Sequence, residues 1–169
     1  MFHDCKFKTF ANSNPGSHKN KFLDVSLLIM KVYFGSDHHG DDLRPKLASY
    51  VNELGFESED MGMNNDFPVM AKEVSKRVLE SENSLGILIC GTGQGIAIAT
   101  NRNQGIRAAV CNTVVDARQA REHLNANILT FGADCVEYPL AKEIVDVFLS
   151  TKFIEEERYK RRIKQVDDL

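Results

Sequence analysis

The chain has 169 residues, 43% of them hydrophobic, and a formal net charge of −3. This length accommodates one well-packed domain and leaves no room for two large ones. The slightly acidic balance argues against a general nucleic-acid-binding surface, and no apolar stretch reaches membrane-spanning length. The four cysteines, Cys5, Cys90, Cys111 and Cys135, are scattered along the chain. Because their spacing matches neither a zinc site nor a disulfide scaffold, we expect a cytoplasmic protein.

The first 29 residues differ in character from the rest of the chain. They are polar and rich in Asn, Ser and Lys, and their short apolar run carries an acid, unlike a secretory signal. Met30 stands directly before KVYFGSDHHG, which begins like a first strand. We therefore predict an N-terminal appendage at 1–29 and a single domain at 30–169. The residues leave open whether the appendage is disordered or packs loosely on the domain as an arm.

From Lys31 onward, strand-like and helix-like segments alternate. Apolar β-branched runs predict strands, and apolar residues at helical spacing predict amphipathic helices. Repeated strand–helix units of this length are typical of an α/β fold, with a parallel sheet covered by helices on both faces. The predicted strands are 31–36, 56–60, 85–89, 106–111 and 127–132, and the predicted helices are 41–55, 67–82, 96–100, 114–124, 138–150 and a C-terminal helix at 153–166.

The stretch LGILICGTGQGIAIATNR, residues 85–102, places Cys90 between a buried strand and three glycines. It is not a dinucleotide fingerprint, because Ile96 occupies the place of the third glycine, and it lacks the Gly-Lys-Ser/Thr ending of a P-loop. A glycine turn leading into a helix directs backbone N–H groups at one point, which suits an anion. The alternatives are a turn without a ligand and a cysteine that is only a small buried hydrophobe.

Further candidates follow from the rule that parallel sheets bind ligands beyond the carboxyl ends of their strands. That rule brings Asp37 and His38, after the first strand, close to Cys90 and Gly91. An aspartate in this position is also a common helix cap. A thiolate at Cys90 could act as a nucleophile or as a base that removes a proton.

Three residues in the C-terminal half complete the set of candidates. His123, at the end of a helix, could exchange a proton near neutral pH, or it could be a capping or surface residue. Arg158 and Arg162 are four residues apart, so they share a helix face that could bind a phosphate or could be a solvated charged face. Together, the candidates supply a thiol base, a turn that binds an oxyanion, an acid and a pair of arginines that binds phosphate. Such a set suits proton transfer between C1 and C2 of a sugar phosphate.

GSDHHG and ICGTGQGIAIATNR closely resemble the opening and signature motifs of the ribose/galactose isomerase family, in particular its type B ribose-5-phosphate isomerases. The resemblance runs from about Met30 to about Val166 and implies a Rossmann-like parallel sheet. It also implies an aldose–ketose isomerase that interconverts ribose 5-phosphate and ribulose 5-phosphate through an enediolate, without a metal or organic cofactor. Family members form homodimers with shared active sites, which leaves open whether dimers pair into tetramers.

The resemblance also implies a role for each candidate residue. Cys90 corresponds to the base, Thr92 to a threonine associated with ring opening, and His123 to the acid that opens the ring. Asp37 and His38 fall in the region that binds the sugar and opens its ring. The substrate-binding residues implied are the turn that holds the enediolate and the arginines that hold the phosphate: Gly91, Thr92, Gly93, Gln94, Gly95, Arg158 and Arg162.

Several positions depart from the family pattern. Leu124 stands where the family usually has Asn, Asp134 where an Arg commonly helps hold phosphate, and Tyr159 where a His is common. A carboxylate in place of a cation should weaken the grip on phosphate. The segment HLNANI, 123–128, is similar to galactose-6-phosphate isomerase subunits. The alternatives are therefore an isomerase of a hexose 6-phosphate and a non-catalytic sugar-phosphate binder.

Overall fold

The computed structural model describes residues 30–169, which form a five-stranded sheet with the strand order β2-β1-β3-β5-β4. Every pair of neighbouring strands is parallel. The strands and helices alternate along the chain: β1 Lys31–Ser36, α1 Leu43–Glu53, β2 Glu57–Met63, α2 Phe67–Glu80, β3 Ser84–Cys90, α3 Gln94–Thr100, β4 Ala108–Val110, α4 Val114–Leu124, β5 Ile128–Gly132, α5 Tyr138–Ser150 and α6 Glu157–Asp167.

Two hydrophobic layers enclose the sheet. On one face, α1, α4 and α5 pack against side chains such as Phe34, Ile87 and Phe131. On the other face, α2 and α3 pack against side chains such as Leu88 and Ile128. The prediction of a parallel sheet of about five strands, with helices on both faces and a C-terminal helix, is therefore confirmed.

Local signals explain the helices whose bounds the sequence predicts correctly. Helix α4 begins after Thr113, whose hydroxyl accepts the N–H of Asp116 while the Asp116 carboxylate accepts backbone N–H groups in return. Such a capping box supplies partners to N–H groups that a helix start leaves unpaired. Helix α5 has Pro139 in its first turn, where the missing N–H costs nothing.

Several element bounds differ from the prediction by two or more residues, and three of these differences have an identifiable cause. Helix α6 begins at Glu157, because the preceding segment runs past α4, with the N–H of Ile154 donating to the Glu122 carbonyl at 3.0 Å. Strand β4 is shortened to Ala108–Val110, since the N–H of Arg107 donates to the Asn127 side chain at 2.8 Å. Strand β2 continues to Met63, because it pairs with β1 beyond a register shift between Phe34 and Ser36.

The predicted N-terminal appendage at 1–29 lies outside the described residues, so its packing stays a prediction. Between residues 30 and 169, no helix has the length and apolar character needed to cross a membrane.

Candidate active site

The central strand β3 ends at Cys90, whose side chain is 5% exposed. The N–H of Gly93 donates to Cys90 Sγ at 3.1 Å. Two more bonds join this strand end to the end of β5: the N–H of Ala133 donates to the Cys90 carbonyl at 2.8 Å, and the N–H of Asp134 donates to the Gly91 carbonyl at 3.0 Å. Main-chain N–H groups therefore hold both the Sγ and the carbonyl oxygen of Cys90.

A side chain at each of the three glycines of the turn would meet a different physical obstacle. Gly93 has a φ of 78°, and a Cβ on it would lie 2.7 Å from main-chain atoms of Phe131. Gly95 lies inside α3, where a Cβ would come within 3.1 Å of the Phe67 ring. A Cβ on Gly91 would lie 2.9 Å from Asp134 Oδ2, so the carboxylate would have to shift to make room. Only Gly93, among the three, is required by backbone conformation.

Asp37 and His38 lie at the adjacent end of β1, as the sequence predicts. The N–H of Asp37 donates to the Ile89 carbonyl at 3.0 Å, which ties this loop to β3. Asp37 is 5% exposed, and its Oδ1 accepts the N–H of His39 at 2.9 Å, capping a single 3₁₀ turn at His38–Gly40. The capping role considered for Asp37 is therefore present. Thr92 and Gln94, by contrast, have exposed side chains above the turn.

Two further side chains meet at this edge: His39, which the sequence prediction did not select, and Asp134, which it noted only as a departure from the family pattern. His39 Nδ1 lies 3.2 Å from Asp134 Oδ1, although 95 residues separate them. The DHHG stretch contains two histidines, of which the sequence prediction selected His38. The contact with Asp134 carries no local sequence signal, because it exists only when the ends of β1 and β5 come together.

His123 and Arg158 form a separate cluster, gathered around Tyr159. The His123 and Tyr159 rings stack with centroids 4.7 Å apart and an interplanar angle of 12°. The Arg158 guanidinium lies 4.6 Å from the Tyr159 ring centre, donates to its hydroxyl at 3.0 Å and pairs with Glu156 at 2.7 Å. Tyr159, which stands where the resemblance led us to expect a histidine, is thus the core of this cluster.

Arg162 lies one turn further along α6, on the wall of a cavity of about 780 Å³. Arg107, on the same wall, donates to both carboxylate oxygens of Asp167 at 3.0 Å and to the carbonyls of Leu124 and Asn125 at 3.2 Å. These bonds tie α6 to the end of α4. Leu124, where the family usually has Asn, is 51% exposed and lines the same cavity.

The two groups of candidates lie at opposite edges of the sheet. One lies at the carboxyl edge, where the parallel strands end, and the other at the amino edge, where the strands begin. Cys90 ends a strand, whereas His123 is in the last turn of α4, which starts after β4 and runs back toward the start of β5. At 1.5 Å per residue, the 11 residues of α4 span about 16 Å. The structure therefore brings Asp37, Cys90 and the glycine turn together, and it does not bring His123 to them within one chain.

The carboxyl edge can stabilise negative charge on the thiol, because the N–H of Gly93 donates to Cys90 Sγ there. Within 30–169, no group of three or more His, Cys, Asp and Glu side chains is arranged to hold a metal ion. The fold and this edge define a class: an α/β protein with a small-molecule site beyond the strand ends, built around a thiol and a glycine turn.

Comparisons with known proteins identify the family. The family model described as Ribose/Galactose Isomerase matches residues 32–166, and the chain belongs to this family. Ribose-5-phosphate isomerase B of Escherichia coli is 39% identical over 140 residues, which cover 80% of this chain and 93% of that protein. The galactose-6-phosphate isomerase subunit LacB of Clostridium acetobutylicum is 34% identical over 144 residues and covers 83% of each chain.

Solved structures agree in fold. Ribose-5-phosphate isomerase B of Clostridium thermocellum is 40% identical, with a TM-score of 0.79 over 82% of this chain and 96% of its own. The protein of the same name from Thermotoga maritima is 43% identical, with a TM-score of 0.79 over 83% of this chain and 99% of its own. The family resemblance and the enzyme class expected from the sequence are confirmed.

Proposed function

We propose that this protein interconverts ribose 5-phosphate and ribulose 5-phosphate, with Cys90 as the base that moves a proton between C2 and C1. The observation that carries the proposal is the thiol at the end of β3, which is buried and accepts the N–H of Gly93 at 3.1 Å. The relatives named as ribose-5-phosphate isomerase B support the choice of substrate.

The chemistry follows from the groups at the carboxyl edge. In the open-chain aldose, the Cys90 thiolate takes the C2 proton, the C2 electron pair forms a double bond to C1, and O1 becomes an oxyanion. N–H groups of the turn formed by Gly91, Thr92, Gly93, Gln94 and Gly95 stabilise the negative charge of the enediolate. Return of the proton from the thiol to C1, together with transfer of the O2 proton to O1, gives the ketose. Thr92, Asp37 and His38 hold the sugar and assist ring opening.

The position of His123 favours a site shared between two subunits. Ring opening and phosphate binding are assigned to His123, Arg158 and Arg162, which lie at the opposite edge of the sheet from Cys90. A site that needs both groups is complete only when the amino edge of one subunit meets the carboxyl edge of another. We therefore propose a homodimer with two shared sites, with association into tetramers as an open extension.

A hexose 6-phosphate is the second candidate substrate. LacB of Clostridium acetobutylicum, named as a galactose-6-phosphate isomerase subunit, covers as much of this chain as the ribose-5-phosphate isomerases do. Asp134 stands where the resemblance led us to expect an arginine that helps hold phosphate. A carboxylate at this position also fits a substrate that is bound differently. A non-catalytic sugar-phosphate binder is the third candidate, and it leaves the buried thiol at the glycine turn without a purpose.

The test is ketose formation from ribose 5-phosphate, compared with galactose 6-phosphate, allose 6-phosphate and unphosphorylated ribose. We expect ribose 5-phosphate to have the highest kcat/KM and free ribose to react poorly. A higher kcat/KM for a hexose 6-phosphate moves the assignment to that substrate. Binding of sugar phosphates without turnover of any of them contradicts an isomerase.

We also propose that the protein acts in the cytoplasm. Cys90, Cys111 and Cys135 are free thiols in the described part of the chain, and a reducing compartment preserves such thiols. Fractionation of the cells that express it, followed by activity assay of each fraction, tests this localisation.

A further inference from the structure

His39 and Asp134 form a side-chain pair directly over the glycine turn, and neither takes part in the proton transfers of the proposed reaction. His39 Nδ1 lies 3.2 Å from Asp134 Oδ1. A Cβ built on Gly91 would lie 2.9 Å from Asp134 Oδ2 and 3.5 Å from His39 Nδ1. The pair is therefore in contact with the residue that follows Cys90 in the chain.

Backbone bonds hold both members of the pair in place. The N–H of His39 donates to Asp37 Oδ1 at 2.9 Å, and the N–H of Asp134 donates to the Gly91 carbonyl at 3.0 Å. The His39 side chain remains 43% exposed. With Nδ1 facing the carboxylate, Nε2 is the ring nitrogen left to meet a ligand. Both side chains therefore extend from main chain that hydrogen bonds hold in place.

A carboxylate beside Nδ1 has a known chemical consequence for an imidazole. It accepts the Nδ1 proton, which fixes the tautomer that presents a lone pair at Nε2, and it stabilises the imidazolium once Nε2 takes up a proton. Two other ionisable groups lie beside His39: His38, whose ring centre lies 4.4 Å away, and Asp37, whose carboxylate accepts the His39 N–H.

The proposed isomerisation needs a proton carrier of this kind. Transfer of the carbon-bound proton by Cys90 leaves O1 without a proton and O2 with one. The ketose forms only when O1 gains a proton and O2 loses its own. The N–H groups of the glycine turn stabilise negative charge, but they do not transfer protons between the two oxygens.

We infer that His39 is a further acid–base residue of this active site and that Asp134 is a positioning residue that acts through it, an inference that rests on the proposed isomerase function. After Cys90 has removed the C2 proton and the enediolate has formed, His39 Nε2–H donates its proton to O1 and gives an enediol. Nε2 then accepts the O2 proton as the C2 carbonyl forms, and the Cys90 thiol returns its proton to C1. The imidazolium and the thiolate are both regenerated.

The test compares two rates in deuterium oxide: ketose formation and exchange of the C2 proton of the aldose with solvent. Exchange requires only the Cys90 step and its reversal, whereas ketose formation also requires the transfer between oxygens. We expect His39→Gln to lower ketose formation about 10²-fold, the usual contribution of a positioned acid–base group, and to lower exchange far less. We expect added imidazole to restore part of the ketose formation in His39→Ala.

Asp134→Asn tests the positioning role, and Glu80→Gln is its matched control. Asp134→Asn should shift the ratio of the two rates in the same direction as His39→Gln but less, and the double variant should lose no more than His39→Gln alone. Glu80 is an exposed carboxylate that pairs with Lys76 at 3.8 Å at the far end of α2, so Glu80→Gln removes the same charge without changing the ratio.

Four results overturn all or part of the inference. Equal losses of exchange and ketose formation in His39→Gln would indicate a packing role, and full activity in that variant would remove any role. Additive losses in the double variant would separate Asp134 from His39. If the wild-type protein shows neither exchange nor ketose formation with any sugar phosphate, the proposed function itself fails and the inference fails with it.

Discussion

The two edges of the sheet hold their candidate residues in different ways. At the carboxyl edge, Cys90 is buried at a strand end, and main-chain hydrogen bonds from two strands fix the turn that follows it. At the amino edge, His123 and Arg158 lie on helices, held by ring stacking and by an ion pair, and the Arg158 side chain is 57% exposed. Under the proposed function, transfer of the carbon-bound proton depends on exact placement and falls to the rigid edge, whereas phosphate capture tolerates longer side chains and falls to the other edge.

This contrast predicts that the largest loss of turnover comes from the thiol. Cys90→Ala should keep the fold, because a small side chain still fits at the strand end, while kcat falls about 10²–10⁴-fold, the usual contribution of a positioned base. Exchange of the C2 proton with deuterium oxide should fall equally. The measurement is ketose formation and exchange on the same samples. Near-full activity in Cys90→Ala would show that the base lies elsewhere.

The other thiols provide controls for the same claim. Cys135 is exposed, so Cys135→Ala should leave turnover unchanged. Burial raises the pKa of the Cys111 thiol to about 12, so Cys111 stays protonated and inert toward iodoacetamide near pH 8. Peptide mapping after alkylation should find Cys135 modified rapidly and Cys111 unmodified. Substrate should slow modification at Cys90 alone.

The rigidity of the carboxyl edge can be tested at a glycine. Gly93→Ala adds a Cβ within 2.7 Å of main-chain atoms at a φ of 78°, so the free energy of unfolding should fall by roughly 2–5 kcal/mol. Gly55→Ala is the matched control, since Gly55 has a φ of 91° and open space around it. It should cost only about 1 kcal/mol. Urea denaturation measures the free energy of unfolding of both variants. Equal losses of that free energy would show that the turn shifts to accommodate the Cβ and is not rigid.

A smaller effect is expected from the arginines of the amino edge. Arg158→Ala and Arg162→Ala should each raise KM about ten- to a hundredfold, because each removes a charge-assisted hydrogen bond to phosphate worth roughly 1.5–3 kcal/mol. Lys164→Ala is the control, as Lys164 is an exposed cation on the same helix that pairs with Asp168 at 2.7 Å. Steady-state kinetics with ribose 5-phosphate measures all three. An unchanged KM in both arginine variants would show that these arginines do not bind phosphate and form only a solvated charged face.

Local sequence signals account for most of the fold. The bounds of α4 and α5 are predicted correctly because Thr113 and Pro139 mark their starts. The start of α6 is predicted four residues too early, since the bond from Ile154 to the Glu122 carbonyl is a tertiary contact without a local signal. Strand β4 is shorter than its apolar pattern for the same reason, because a side chain of a distant loop, Asn127, takes the Arg107 N–H.

The candidate site is only partly predictable from the sequence. The motif around Cys90 marks its own position, because a strand followed by a glycine turn is a local pattern. The approach of Asp134 to His39 depends on the packing of β1, β3 and β5, so the substitution at 134 indicated a changed charge without indicating its partner. The separation of His123 from Cys90 becomes clear only when the direction of α4 relative to the strands is known.

Complementation between two inactive variants tests the shared site most directly. Cys90→Ala lacks the base and His123→Ala lacks the acid, so each homodimer should be nearly inactive. If each site combines Cys90 of one subunit with His123 of the other, every mixed dimer carries one intact site. After subunit exchange at equal concentrations, half the dimers are mixed, and activity should return to about a quarter of the wild-type value. Mixed dimers that are detected by mass spectrometry, yet remain as inactive as the two parents, would contradict the shared site.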